Sequence, residues 1–413
     1  MAEPAESEPT EPSSVGTPDA ARAFRGYLAG VGSWFGSAGM QSVLFSWLVV
    51  GELKASPEWV GIVQTSTLLP SFLLLLVGGA AAERHDPRGL LIRLHALAAL
   101  APLALAAAVV SGHLSIPLLI AFGVTMGTLG AFVLPARDSL LSRVAGDDMM
   151  HAVSGMTAAQ FAAQAIGALV AGAARLLGSA PMLAVQGAVI LLGSAGMRSI
   201  PKVAPVARTG TPVSPWHELT LGLRVMARTP ALRWPFVLVV CVGLFFIGPF
   251  VVCFPLLVRD YYGGDAAMLA LVMTVFPIGT IAGSLLIRAR GGIRRKGQAA
   301  LIALALGATS LGTIGFGLPF PGMMAAALAW GLCGSVFINC SRTLYQEAAP
   351  VAERARVLST YQLGFVGAAP FGATLAGFLA GQIGLLATLQ VVATAMLCVL
   401  AAVATFTETR RME

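Results

Sequence analysis

The stretch WVGIVQTSTLLPSFLLLLVGGAAAERHDPR, residues 59–88, decides how this chain is read. No charged side chain occurs from Trp59 to Ala82, and then Glu83, Arg84, His85, Asp86 and Arg88 crowd together. At about 1.5 Å per residue the uncharged part forms a helix long enough to cross roughly 30 Å of hydrocarbon. In lipid a helix satisfies its own backbone groups, which an isolated strand cannot do. Outward in both directions the same alternation repeats. Apolar runs fall at 26–50, 58–82, 90–111, 115–136, 153–175, 180–199, 234–257, 266–287, 298–317, 322–341, 357–380 and 384–406. Composition agrees: 57% of the chain is hydrophobic and 11% charged, against about 25% charged in soluble domains.

The links between the runs set the topology. With the N-terminus in the cytoplasm, only Lys54, Arg175 and Arg259 of the 26 Lys and Arg fall outside. Basic residues near span ends set orientation, so this sorting predicts an all-α, multi-pass protein of the cell (inner) membrane with both termini inside. The formal charge of +7 is no nucleic-acid footprint, because the cations are dispersed over loops with no compact basic face. They face anionic lipid headgroups instead. The five cysteines all lie in predicted spans, without metal-ligand spacing, and read as small packing residues. No metal or cofactor is expected, nor an enzyme: there is no His-Glu-x-x-His pattern and no Gly-x-Ser-x-Gly elbow.

Residues 1–23 are acidic and rich in Pro and Ser, without the basic start and apolar core of a signal peptide, and predict a disordered cytoplasmic tail. Residues 24–200 then form a first six-helix bundle, 201–233 a cytoplasmic linker, 234–407 a second bundle and 408–413 a C-terminal tail. In the linker Ser214-Pro215 reads as a helix start, and Trp216, Leu219, Leu223 and Met226 share one helical face. The two bundles also repeat each other. A shift of 205 places Phe132 on Phe337, Arg137 on Arg342, Ser154 on Ser359, Gly167 on Gly372 and Gly172 on Gly377, and a shift of 204 places Gly79 on Gly283 and Arg84 on Arg288. Two parallel six-helix repeats with a binding site between them near mid-membrane is an arrangement used by secondary transporters.

The link Gly79-Ala-Ala-Ala-Glu83-Arg84-His85-Asp86-Pro87-Arg88 resembles the signature loop of the major facilitator superfamily, with Glu83 where Asp is usual and Pro87 interrupting the basic pair. A second block, Pro135-Ala-Arg137-Asp138-Ser-Leu-Leu, and its counterpart Asn339-Cys-Ser-Arg342-Thr-Leu-Tyr-Gln346, with Glu353-Arg354-Ala-Arg356 beyond, resembles the branch that includes the enterobactin exporter and macrolide efflux pumps. The resemblance runs from Phe24 to about Phe406. It implies the major facilitator fold, alternating access, and export of a siderophore, a macrolide-like or other multidrug substrate, or another secondary metabolite. It further implies a gating set of Gly79, Glu83, Arg84, Arg88, Arg137, Asp138, Arg288, Arg342, Gln346, Arg354 and Arg356. Glu83 and Arg84 would pair across the cytoplasmic seam or cap helix ends, and Gly79 would let a neighbouring helix approach closely. Two features depart from proton-driven relatives: span 4 lacks an arginine, and span 5 reads Gly167-Ala-Leu-Val-Ala171-Gly172 without the usual proline. Protons therefore stay open as coupling ion, and a monomer is expected.

The predicted midplane holds no Asp, Glu, Lys or Arg; Asp138, Asp260, Glu347 and His95 are the nearest titratable groups. Polar residues inside spans point to the cargo site instead. Ser33, Ser37 and Gln41 recur every four residues on span 1, Gln160 and Gln164 on span 5, with Gln64, Asn339, Tyr361 and Gln362 elsewhere. Each could equally be interhelical glue, worth about 0.6 kcal/mol. Trp34, Met40, Phe45, Phe245 and Phe246 either wall a cavity or face lipid. Such a set suits a neutral or weakly anionic, partly apolar small molecule. An uptake permease of the same fold, or a non-transporting sensor or scaffold, are the competing readings.

Overall fold

The computed structural model describes residues 18–144, 149–201, 215–350 and 353–406. In the first half, helix α1 (Pro18–Trp47) runs into a π-turn (Leu48–Glu52). It is followed by α2 (Pro57–Arg84), α3 (Pro87–Val110), α4 (Ile116–Val144), α5 (Met149–Ala171), the single turn α6 (Ala174–Leu177) and α7 (Ser179–Met197). Helix α8 (Pro215–Arg228) leads into the second half. There α9 (Pro230–Val242), a π-turn (Gly243–Ile247), α10 (Gly248–Leu256) and a further π-turn (Leu257–Tyr261) make one rod. The chain continues through α11 (Ala266–Ala289), α12 (Lys296–Ile314), α13 (Phe320–Ala348), the consecutive α14 (Arg354–Gly367) and α15 (Ala369–Ile383), and α16 (Leu385–Phe406).

Eleven of these rods are long and apolar enough to cross a membrane. The α1 rod has the length but not the hydropathy, because Gly, Ser and Gln interrupt it. Packing supports it: Tyr27, Val31, Met40 and Leu44 are buried, and the helix packs against α5 and α7.

The halves share one plan. α2 packs on α4 as α11 packs on α13, and α3 on α7 as α12 on α16. The turns match too. Gly112 and Gly317, 205 residues apart, have φ of 73° and 75°, and Gly178 and Gly384 have 84° and 85°. Left-handed backbone favours glycine, so the matched turn chemistry is visible in both sequence and conformation. Helix crossings repeat as well: Gly167 lies against the backbone of Gly36, and its counterpart Gly372 against that of Leu244.

Three boundaries and one packed face differ from the sequence-based expectation. α1 begins at Pro18, inside the stretch read as a tail to residue 23; residues 1–17 and 407–413 lie outside the described part. α4 and α13 run on to Val144 and Ala348, so Arg137, Asp138, Arg342 and Gln346 stand on helices rather than in loops. The reason is that apolar periodicity survives the first charges. Leu140 and Leu141, like Leu344 and Tyr345, stay buried, and the Tyr345 hydroxyl donates to the Leu232 carbonyl at 2.9 Å. On α8 Met226 is buried but Leu223 is exposed, so the packed face of that helix is narrower than the pattern suggested. The Trp216 and Leu219 side chains lie outside the described residues.

Candidate functional site

Between the halves lies a cavity of about 240 Å³. One wall is polar and comes from the first half: Ser37, Gln41, Ser42 and Ser46 on α1, and Gln64, Thr67 and Ser71 on α2. Trp34, Phe45 and Met126 flank it, and Phe250, Val251 and Met273 close it from the second half. None of the residues lining it is charged.

Part of this wall is tied up internally. Gln64 Nε2 donates to Ser46 Oγ at 2.9 Å, Gln186 Nε2 to Ser37 Oγ at 3.3 Å, and Ser71 Oγ to the Gly127 carbonyl at 2.9 Å. The Thr67 hydroxyl is shielded from solvent and lacks a hydrogen-bond partner. It lies against Gly123 of α4, where a Cβ would meet it at 2.9 Å, so it packs at the α2–α4 crossing. What the arrangement can do chemically is bind: it offers hydroxyls and amides opposite an apolar wall of Phe250, Val251 and Met273, with no nucleophile–base pair among the lining residues.

Of the sequence-derived cargo set, Ser37, Gln41 and Gln64 meet at this cavity. The structure places the others elsewhere. Ser33 is buried and donates to the Gly30 carbonyl at 2.9 Å. Gln160 accepts from Arg137 Nη1 at 2.9 Å. Gln164 sits where α5 crosses α1, its carbonyl against Gly39. Asn339 Nδ2 reaches Ser284 Oγ at 3.2 Å, Tyr361 shares a 2.9 Å hydrogen bond with Ser341, and Gln362 is exposed. Helical geometry explains Ser33. A four-residue step rotates 40° beyond a full turn, so a strict i, i+4 stripe drifts off the face. The cavity face follows 34, 37/38, 41/42, 45/46, a period nearer 3.6, and extending it would have found Ser42 and Ser46. Thr67 and Ser71 follow from Gln64 by the same i+3, i+7 rule. Of the aromatic and sulfur candidates, Trp34 and Phe45 line this cavity, Met40 is packed in the core, Phe245 is half-buried against that core, and Phe246 lines a separate space.

The gating set is scattered in the same way. Arg88 donates to the Met197 and Arg198 carbonyls at 3.3 and 2.8 Å, within the first half. Arg137 pairs with Asp138 at 2.7 Å and covers the Phe35 ring, again within that half. Arg288, Arg342 and Gln346 are exposed. The side chains of Glu83, Arg84, Arg354 and Arg356 lie outside the described residues. The expectation for Gly79 is corrected: nothing lies within 4 Å of where its Cβ would be, and Gly78 is the residue whose missing Cβ admits the Ala131 carbonyl. Gly78 is also 205 residues before Gly283, which packs on Ser335 and Leu332 in the same fashion.

Among the described residues, contacts between the halves gather at the opposite end, near residues 53–56, 172–178 and 262–265. Arg259 Nη1 donates to the Val50 and Ala55 carbonyls at 3.1 and 2.8 Å, while its remaining nitrogens hold Asp260. Arg175 meets Asp265 at 3.0 Å. Gly377 packs on Gly61, and its repeat mate Gly172 on Ala270. Deeper in, Thr65 Oγ1 donates to the Pro370 carbonyl at 2.9 Å.

The family model described as transmembrane secretion effector matches residues 17–413. Among solved structures, the nucleoside transporter NupG superposes with a TM-score of 0.73 at 15% identity, covering 94% of this chain and 99% of that one. A D-xylose-proton symporter gives 0.71 at 15% identity, over 95% and 98%. A bacterial homolog of the human lysosomal transporter Spinster, inward-facing and unoccupied, gives 0.71 at 11% identity, over 96% and 97%. No curated protein matches by sequence. These likenesses carry the fold, and the full-length family match carries the membership: the chain belongs to the transmembrane secretion effector family of major facilitator superfamily transporters.

Proposed function

We propose that this protein exports a small, uncharged amphiphile from the cell by alternating access. Twelve spans would cross the inner membrane with both termini in the cytoplasm, the α1 rod being the twelfth. The observation that carries this reading is the uncharged cavity between the halves, hydroxyl- and amide-walled on one side and apolar on the other. A strongly cationic cargo would call for an embedded carboxylate, which is costly in a membrane and therefore kept only for function. The family's description as secretion effectors supports the outward direction, and siderophore- or macrolide-like metabolites are the cargo class implied by the resemblance to their exporters. In the cytoplasmic-termini orientation the Arg259 end faces outward, so the sealed seam is the outer one. Glu83 and Arg84 belong to the inner seam that must close in the opposite state.

Efflux from proteoliposomes under imposed proton and potential gradients, across a panel of siderophores and macrolides, tests the function and the coupling ion together. Accumulation of cargo in intact cells would reverse the direction. Two substitutions probe the assignments. Gln41→Leu is expected to change KM among cargoes about tenfold, since a site built to hydrogen-bond its ligand discriminates through that bond, with membrane abundance unchanged; a fall in abundance alone identifies packing. Joint replacement of Glu83 and Arg84 by Ala is expected to slow transport at least tenfold with normal insertion. Wild-type turnover in that variant removes both from the gate.

A further inference from the structure

The second half contains its own cavity of about 220 Å³, and its character is the opposite of the central one. Phe246, Phe250, Phe276, Trp330, Phe337 and Phe365 line it, and no hydroxyl, amide or charged side chain joins them. Trp330 is the hub. Its ring lies 4.9 Å from Phe276, 5.4 Å from Phe246 and 5.8 Å from Phe250, at steep angles. Edge-to-face packing of this kind is rigid and specific. The π-turn Gly243–Ile247 interrupts the α9–α10 rod here, and Phe246 and Ile247 of that turn line the space.

An apolar void has no partner atoms on its inner side, so the walls lose dispersion contacts unless something fills it. Water is a poor filler, because apolar cavities of about 150 Å³ stay dry yet accept benzene. The position says what fills this one. Phe250 lines both cavities, so that ring is part of the wall shared by the aromatic space and the cavity with Gln41 and Gln64.

We infer that the aromatic cavity of the second half is a subsite for the apolar arm of the cargo, taking one aromatic ring or two fused rings, while the first half holds the hydrogen-bonding head. This rests on the transport reading above and specifies its substrate: an uncharged molecule with a hydroxyl- or amide-rich head joined to an aryl group. Phe250 divides the two compartments, and Trp330 supplies the face against which the arm packs.

The test uses β-glucosides with methyl, phenyl and 2-naphthyl aglycones, titrated against the full-length protein in nanodiscs. Affinity is expected to rise about tenfold from methyl to phenyl, as one well-filled apolar pocket allows, and not to fall for naphthyl. Cys333→Phe, which fills the cavity, is expected to bring the aryl ligands down to the methyl value and leave the methyl ligand unchanged. A second measurement needs no bulky substitution. With Cys333 as the sole cysteine, saturating phenyl glucoside is expected to slow its alkylation by N-ethylmaleimide about tenfold, and methyl glucoside not at all. Equal affinity across the series, or no protection of Cys333, overturns the subsite and leaves the transport path intact. Protection present without ligand, and lifted in short-chain lipid, assigns the space to an acyl chain and likewise overturns it. Binding of none of the three overturns the uncharged-cargo reading and the subsite with it.

Discussion

Replacing Arg259 by alanine is expected to unseat the sealed end of the molecule. A single cysteine at Ser37 in the central cavity should then react about thirtyfold faster with an impermeant maleimide added from that side. Arg259 stands in a π-turn, a form that gathers at functional positions, and from there its guanidinium reaches two carbonyls of the other half at 3.1 and 2.8 Å. Hydrogen bonds from a charged donor are worth about 1.5–3 kcal/mol each. The pair sits near the surface, so about 2 kcal/mol in total is a fair discount. If the bonds exist only in this state, that energy becomes a roughly thirtyfold population shift. Lysine should rescue poorly, because a point charge cannot span both carbonyls as the planar fork does. Arg175→Ala should do much less: its partner Asp265 is 3.0 Å away, but the arginine side chain is 63% exposed and screened by water. An unchanged labelling rate in Arg259→Ala sinks the assignment.

The adjacent glycines on α2 should behave oppositely. Gly78→Val is expected to cut the yield of monodisperse protein in size-exclusion chromatography about tenfold, while Gly79→Val leaves it unchanged. At Gly78 a Cβ would overlap the Ala131 carbonyl oxygen and crowd Phe132, so α2 and α4 would have to part by roughly 1 Å. Overpacking of this kind is unfavourable by about 1–3 kcal/mol, and here backbone stands on both sides and cannot rotate away. Small residues at crossings are what let membrane helices pack at all. At Gly79 nothing lies within 4 Å. The reverse ranking would mean that the α2–α4 crossing is placed one residue off.

Several features were legible before any coordinates. Eleven of the twelve apolar runs coincide with rods long and apolar enough to cross a membrane, because a span must be long and uncharged wherever it sits. The Gly167–Gly372 and Gly172–Gly377 matches mark equivalent crossings because backbone contact tolerates no side chain, whichever half it occurs in. Lys54, Arg175 and Arg259 are the three cations that the sequence reading expects outside, and two of these three tie the halves together. The partners of Arg259 could not have been read, since they are backbone carbonyls about 200 residues away. Gln160 and Ser33 illustrate the same gap: both are polar residues within apolar helices, but one accepts from Arg137 and the other bonds its own helix.

Local chemistry thus settled the helical class, the doubling of the chain and the family signature, since each depends on hydropathy, periodicity or turn residues within a few positions. The cavity and its asymmetry came from tertiary structure alone. Which face of a helix looks into a shared space depends on rotation about its axis, and that angle is set by crossings such as Gly39 on Gln164 and Gly248 on Gly372. Two residues of like polarity, a fraction of a turn apart, end up on a cavity wall and in helix packing. Phe250 meets both a polar and an aromatic compartment because α10 is wedged between the halves, a position no local pattern encodes.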